Sequence, residues 1–144
     1  MDFLTGLRVS SSGMAAQRMR MNTISSNIAN INTTQTPEGG PYRRKDVVLE
    51  AMPEQRSFGE ILTGEQAKIQ RVQVSDVLVD RRAPLLKYQP DHPDANEEGY
   101  VAMPNINLME EMANMIQATR AYEANVSALQ ATKNMALSAL EIGR

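Results

Sequence analysis

All seven prolines of the chain, Pro37, Pro41, Pro53, Pro84, Pro90, Pro93 and Pro104, fall between residues 37 and 104, with five of the eight glycines. Proline inside a helix costs about 3 kcal/mol, so a long helix is excluded across this block and allowed on both sides of it. The chain therefore divides into an N-terminal helix within residues 1–36, an irregular or β-rich insert over 37–106, and a C-terminal helix within 107–144. The fold class expected is mainly α, with long terminal helices paired as a coiled-coil-like axial domain and a small β lobe between them.

The two flanks repeat every seven residues. In the first, Asp2 to Thr34, Leu7, Met14, Met21 and Ile28 form one row; Phe3, Ser10, Gln17, Ile24 and Ile31 form a second, polar in its middle. This is the spacing of a helix–helix seam. Asp2 reads as an N-cap, and Pro37 with Gly39 and Gly40 enforces a stop. Gly6 and Gly13 lie seven apart, where they could admit another backbone along one line. In the second flank, Leu108, Met115, Tyr122, Leu129 and Ala136 form one row. Met112, Thr119, Val126, Lys133 and Leu140 form the expected partner row. Asn107 with Glu110 resembles a capping arrangement, and Gly143 suits the position after a helix end. Such a helix is on the order of 50 Å long, too long to be enclosed by so small a chain.

Charge separates flanks from insert. Residues 1–36 and 107–144 carry 11 charged side chains in 74 positions, against 21 in the 70 positions between. A helix covered on one side only usually shows a charged outer face. Here the outer faces are Ala, Ser, Thr, Asn and Gln, which implies protein contact on more than one side. Seven of the ten methionines lie in the segments Asp2 to Thr34 and Asn107 to Ile142, and their soft torsions suit a seam with related but non-identical neighbours.

Much chemistry is excluded. A 144-residue chain of net charge -2 lacks the basic surplus of a nucleic-acid binder. With no cysteine and one histidine, thiolate or imidazole metal sites and nucleophilic triads are hard to build. No apolar run approaches the roughly 20 residues that span a bilayer, and no cleaved secretory signal is expected. No cofactor is expected.

Within the insert, Tyr42 to Met52, the alternating Gln66 to Asp80, and Leu85 to Tyr88 read as strands, and Pro53 to Gly64 reads as a loop. Asp91, His92, Asp94, Glu97 and Glu98 carry metal-like chemistry, but their spacing is not that of a calcium loop and a solvated acidic loop is expected. Arg43, Arg44 and Lys45 beside Tyr42 could touch phosphate, a reading weakened by Glu38, Asp46 and Glu50.

The most distinctive string is Ser25-Ser26-Asn27-Ile28-Ala29-Asn30-Ile31-Asn32-Thr33. Asn, Ser and Thr are mediocre helix formers, so this many near a helix end imply either a fraying, Asn-capped end or side-chain hydrogen bonds across a helix interface. The string resembles the N-terminal signature of flagellar rod, hook and hook-associated proteins. Pro41-Tyr42-Arg43-Arg44-Lys45, Gly99-Tyr100-Val101-Ala102-Met103-Pro104-Asn105, Glu111-Met112 and Ala118-Thr119-Arg120-Ala121-Tyr122-Glu123-Ala124-Asn125 are similar to the basal-body rod proteins in particular. Residues 52–66 depart from that pattern, so contacts made there are not carried over.

The resemblance implies terminal helices that form an inner tubular layer, with the insert outside it. It implies export through the flagellar type III apparatus without signal cleavage, and residence in the rod spanning the periplasm. The implied partners are further copies, other proximal-rod and distal-rod proteins, and the export-gate or membrane-ring base. The expected function is a non-enzymatic subunit of a hollow, torque-transmitting shaft. The residues expected at subunit interfaces are Leu7, Met14, Met21, Ser26, Asn27, Ile28, Asn30, Ile31 and Asn32 in the first flank. In the second they are Met112, Met115, Arg120, Tyr122, Glu123, Asn125, Val126, Leu129 and Leu140. The competing readings are a soluble coiled-coil adaptor and a metal-dependent enzyme centred on Asp91 to Glu98.

Overall fold

The computed structural model describes residues 3–53 and 70–142. The element order is α1 (Phe3–Ala29), β1 (Lys45–Pro53), β2 (Gln70–Val79), β3 (Leu85–Tyr88), β4 (Tyr100–Met103) and α2 (Leu108–Ile142). Two long terminal helices thus enclose a small β region, with every strand inside the proline-rich block. The expected caps Asp2 and Gly143, and the loop expected over Pro53 to Gly64 beyond Pro53 itself, lie outside the described residues.

The helices run antiparallel. Gly13 lies against Asn125, Met21 against Thr119 and Asn27 against Glu111, so position rises along α1 as it falls along α2. A Cβ built on Gly13 would come 3.0 Å from Asn125 Oδ1, so glycine permits the close approach there; one built on Gly6 meets nothing within 4 Å. Of the two glycines expected to line an approach, only Gly13 does so. Asn125 is held flat by its own amide, which donates to Ala121 O at 2.9 Å.

α1 ends at Ala29, short of the expected Thr34. Asn30 Nδ2 donates to Ser26 O at 2.9 Å, and Ile31 N bonds Ile28 O in a tightened turn. Side-chain bonds to nearby backbone compete with further helix. The chain then loops back, and Tyr42 N donates to Thr33 O at 3.0 Å. That bond is why β1 begins at Lys45 rather than at the expected Tyr42. α2 starts as expected: Asn107 Oδ1 accepts Met109 N at 3.0 Å and Glu110 N at 3.4 Å, the forward half of a capping box.

The described residues of the insert form two antiparallel ribbons. β1 pairs with β2 from Lys45↔Val79 to Pro53↔Gln70, with a bulge that leaves Ser75 unmatched between Val48 and Leu49. This ribbon packs on α1, and Val72 N donates to Ser12 Oγ at 3.2 Å. β3 pairs with β4 from Leu85↔Met103 to Tyr88↔Tyr100. The second ribbon turns through Gly99 at φ 80°, where a Cβ would collide with the Tyr88 ring at 2.9 Å. β4 was not expected; four residues closed by Pro104 carry too little periodicity to read as a strand, and the pairing with β3 creates it. Its Val101 is fully buried.

Candidate assembly surface

The buried interior is small, and its largest side chains are not all apolar. Asn27 and Glu111 rank with Val101 among the most deeply buried, at 0% and 1% exposure. They form a polar clasp that joins the end of α1, the start of β1 and the first turn of α2. Asn27 Nδ2 donates to Lys45 O at 2.8 Å and to Glu111 Oε2 at 2.9 Å. Its Oδ1 accepts Lys45 N at 2.9 Å and the Tyr42 hydroxyl at 3.1 Å. Every donor and acceptor of the carboxamide is used. Towards Lys45 the amide behaves like a neighbouring peptide, engaging both backbone groups of the first β1 residue. Since Tyr42 donates its proton to Asn27, the Ser26 hydroxyl donates in the 3.2 Å contact with Tyr42.

Glu111 completes the clasp. Its Oε1 accepts Arg44 Nε at 2.8 Å, and Arg44 Nη1 also reaches Asp46 at 3.2 Å. Burial pulls the Arg44 pKa down, but the hydrogen bond and charge of Glu111, with those of Asp46, outweigh it and raise the pKa above its ordinary value. The guanidinium therefore stays charged. Glu111 sits in the acidic first turn of α2, where the helix dipole favours a carboxylate. Asn27 thus has no exposed surface to offer a neighbour, although the sequence placed it at a subunit interface. The signal for the clasp partners was faint: Glu111 stands seven before Ala118 and fourteen before Asn125.

Coverage of the two helices differs sharply. On α1 both expected rows, from Leu7 to Ile28 and from Ser10 to Ile31, are buried or half-buried. The exposed positions are Leu4, Arg8, Ser11, Ala15, Arg18, Met19, Asn22, Ser25 and Ala29, which apart from Met19 make a single stripe at steps of four and three. On α2 the covered line is Glu111, Met115, Ala118, Tyr122, Asn125, Leu129, Thr132 and Ala136. The row from Leu108 to Ala136 was expected there, and all but its exposed first member, Leu108, is covered. The expected partner row holds only in its middle: Thr119 and Val126 are half-buried, whereas Met112, Lys133 and Leu140 are exposed, and Glu111, Ala118, Asn125 and Thr132 complete the covered face because close approach at Gly13 admits small and polar side chains.

Accordingly Met112 and Leu140 are exposed, with Met109, Ile116, Met135 and Leu137. Val126 is half-buried, as are Ser26, Ile28, Asn30 and Ile31, while Asn32 is exposed. Arg120 and Glu123 pair with each other at 3.2 Å on the solvent side. Met109, Met112 and Ile116 follow each other along one face at steps of three and four. Ile116 is 63% and Leu140 71% exposed. Fully burying a side chain of this kind contributes about 1.5–3 kcal/mol, so this face strongly favours a covering partner.

The acidic loop between β3 and β4 is folded on itself. Asn96 Oδ1 accepts Glu98 N and Tyr100 N, His92 Nδ1 accepts Asp94 N, and Asp94 accepts the Thr34 hydroxyl at 2.7 Å. Among the described residues, no three potential ligands converge as a metal site would require. No helix among them is long and apolar enough to cross a membrane.

Comparison with known proteins gives one consistent result. A family model described as "Flagella basal body rod protein" matches residues 7–35, and one described as "Flagellar basal body rod FlgEFG protein C-terminal" matches residues 97–142. The flagellar basal-body rod protein FlgC of Bacillus subtilis is 44% identical over 146 residues, covering 96% of each chain. Its namesake in Borreliella burgdorferi is 40% identical over 149 residues, covering 99% of this chain and 98% of its own. That of Salmonella typhimurium is 36% identical over 146 residues, covering both chains completely.

Proposed function

The chain belongs to the FlgC family of flagellar basal-body rod proteins, and we propose that it is a non-enzymatic structural subunit of the proximal rod, built into a hollow shaft that transmits torque. Near-full-length likeness to proteins named for the basal-body rod carries this reading. The geometry supports it independently: α2 presents an apolar face far larger than its own chain can cover.

In this reading α1 and α2 pair in the manner of an antiparallel coiled coil and form the axial part, residues 1–36 with 107–144, while residues 37–106 lie outside it. Leu7, Met14, Met21, Met115, Tyr122, Asn125, Val126 and Leu129 serve the seam and its margins. Met112, Arg120, Glu123 and Leu140 meet neighbouring subunits, as do Asn32 and the exposed edges of Ser26, Ile28, Asn30 and Ile31. Asn27 contributes indirectly, by holding the clasp that sets the helix register. The neighbours are further copies, other proximal- and distal-rod proteins, and the export-gate or membrane-ring base. The chain reaches them through the flagellar type III apparatus and resides in the rod across the periplasm.

A tagged chain that fractionates with detergent-extracted basal bodies, together with arrest of rod growth when its gene is deleted, is the expected outcome. A tagged chain that stays in the cytoplasm as a defined dimer, with rods complete in its absence, overturns the proposal.

A further inference from the structure

Two charged motifs keep members that the fold does not engage. At the root of the first ribbon, Asp80 N donates to Arg44 O at 2.8 Å and Lys45 pairs with Val79, so the Arg43–Lys45 run and the Arg81–Arg82 pair that follows β2 leave the ribbon at the same end. Arg44 and Arg82 are engaged by carboxylates of this region, and Lys45 stands 5.8 Å from the Tyr42 ring centroid. Arg43 and Arg81 are exposed and have no ion-pair partner among the described residues. A cleft of about 90 Å³ opens beside Arg43 and Arg82, room enough for the head of one acidic side chain when a water occupies about 30 Å³. The second motif is the loop of Asp91, Asp94, Glu97 and Glu98. Among the described residues no lysine or arginine pairs with it.

The two motifs flank the same Gly40–Pro41 turn, yet no ion pair joins them among the described residues. The loop is held by the bonds of Asn96 and by Gln89 N to Gly99 O at 2.9 Å. A loop already ordered loses little freedom on docking. Opposite charges that do not pair within one molecule are free to pair between copies.

We propose that the basic root of one subunit, centred on Arg43 and Arg81, receives the acidic β3–β4 loop of a second copy, with Glu97 and Glu98 foremost. The inference rests on the rod-subunit reading. In a rod the contact runs head to tail, and such a contact repeats into a ring or a helix instead of closing as a dimer. That is the geometry a shaft requires. It acts outside the apolar axial seam and selects the neighbour by charge.

The chain has no cysteine, so single replacements report contacts cleanly. Cells carrying an Arg81→Cys copy and a differently tagged Glu97→Cys copy are treated with a short bismaleimide, and basal bodies are purified. The expected result is a mixed dimer bearing both tags, absent when either variant is present alone. Reversal at one patch, Arg43→Glu with Arg81→Glu or Glu97→Lys with Glu98→Lys, lowers incorporation into basal bodies by about tenfold, equivalent to about 1.4 kcal/mol. Combining the two reversals restores it. Incorporated chains that give no mixed dimer and tolerate both reversals overturn the inference and leave the rod reading standing. Cross-linking to a different rod protein also overturns it. Failure of the unaltered chain to enter basal bodies overturns both.

Discussion

α1 and α2 share one seven-residue pattern and meet each other along one line, but α1 is enclosed and α2 is not. α1 has α2 on one side and the β1–β2 ribbon on another, leaving a narrow outer stripe of mostly small side chains. Among the described elements α2 packs on α1 alone, and its last turns, with Met135, Leu137 and Leu140, run past the described start of α1. Heptad patterning specifies that a helix will be covered, not which chain covers it. One helix is therefore largely covered within the fold and the other largely exposed, which the proposed rod reading assigns to the assembly, with the polar clasp anchoring the second to the first.

The strongest way to break this division is to open the clasp. Glu111→Ala leaves the half-buried Arg44 with Asp46 alone and one buried Asn27 donor without an acceptor, and losing both a charged and a buried hydrogen bond costs about 3 kcal/mol. Urea unfolding followed by circular dichroism should show a loss of that order. A loss below about 1 kcal/mol would mean that the clasp does not hold α2 in register.

Two isoleucines then separate fold from assembly. Ile24 is 5% exposed and Ile116 is 63% exposed. Ile24→Ala should destabilise the isolated chain by about 2–5 kcal/mol. Ile116→Ala should leave its stability within about 0.5 kcal/mol while reducing recovery in basal bodies. Equal losses in the monomer would erase the distinction between the helices.

The glycines sharpen the comparison at smaller scale. Gly13→Val pushes against Asn125 and should cost about 1–3 kcal/mol by overpacking. Gly6→Ala enters open space and should raise the melting temperature, since alanine is favoured over glycine by about 1 kcal/mol in a helix. If both behave alike, the helices do not approach at Gly13 as described.

The smallest effect belongs to an exposed pair on neither helix. The side-chain hydrogen bond from Arg82 Nε, 2.7 Å to Oδ2, holds the Asp80 carboxyl below its usual range, aided by the Arg82 backbone amide. Its folded pKa being lower than its unfolded one, the pair stabilises above the ordinary carboxylate pKa near 4 and loses that contribution as acid carries the pH below it. Comparing acid unfolding of Asp80→Asn with the unaltered chain should show a small difference at pH 6 that vanishes towards pH 2 and shrinks with added salt.

Long-range order was legible because proline and glycine act locally. The confinement of every proline, with five of the eight glycines, to residues 37–104 placed both helices. The strands β1, β2 and β3 were legible to within a few residues, with 66–69 of the expected Gln66 to Asp80 strand outside the described residues. The row from Met115 to Ala136 was legible for the same reason. β4 was not, since four residues hold no period, and α1 was read five residues too long because the bonds of Asn30 to its own helix do not show in a composition. The candidate site divides similarly: the Ser25 to Thr33 string stood out, but the partners of Asn27 could not be named. Lys45 lies 18 residues from it and Glu111 lies 84 away, and nothing local to either segment encodes that they meet.

What the sequence alone determined is where a long helix can and cannot exist, and the family to which the chain is related. What only the tertiary structure decided is which face each helix turns inwards. That choice depends on how near the backbones come at Gly13 and on one buried carboxamide meeting a carboxylate and a strand end together. Such meetings depend on three segments arriving at once, whereas periodicity records each segment separately.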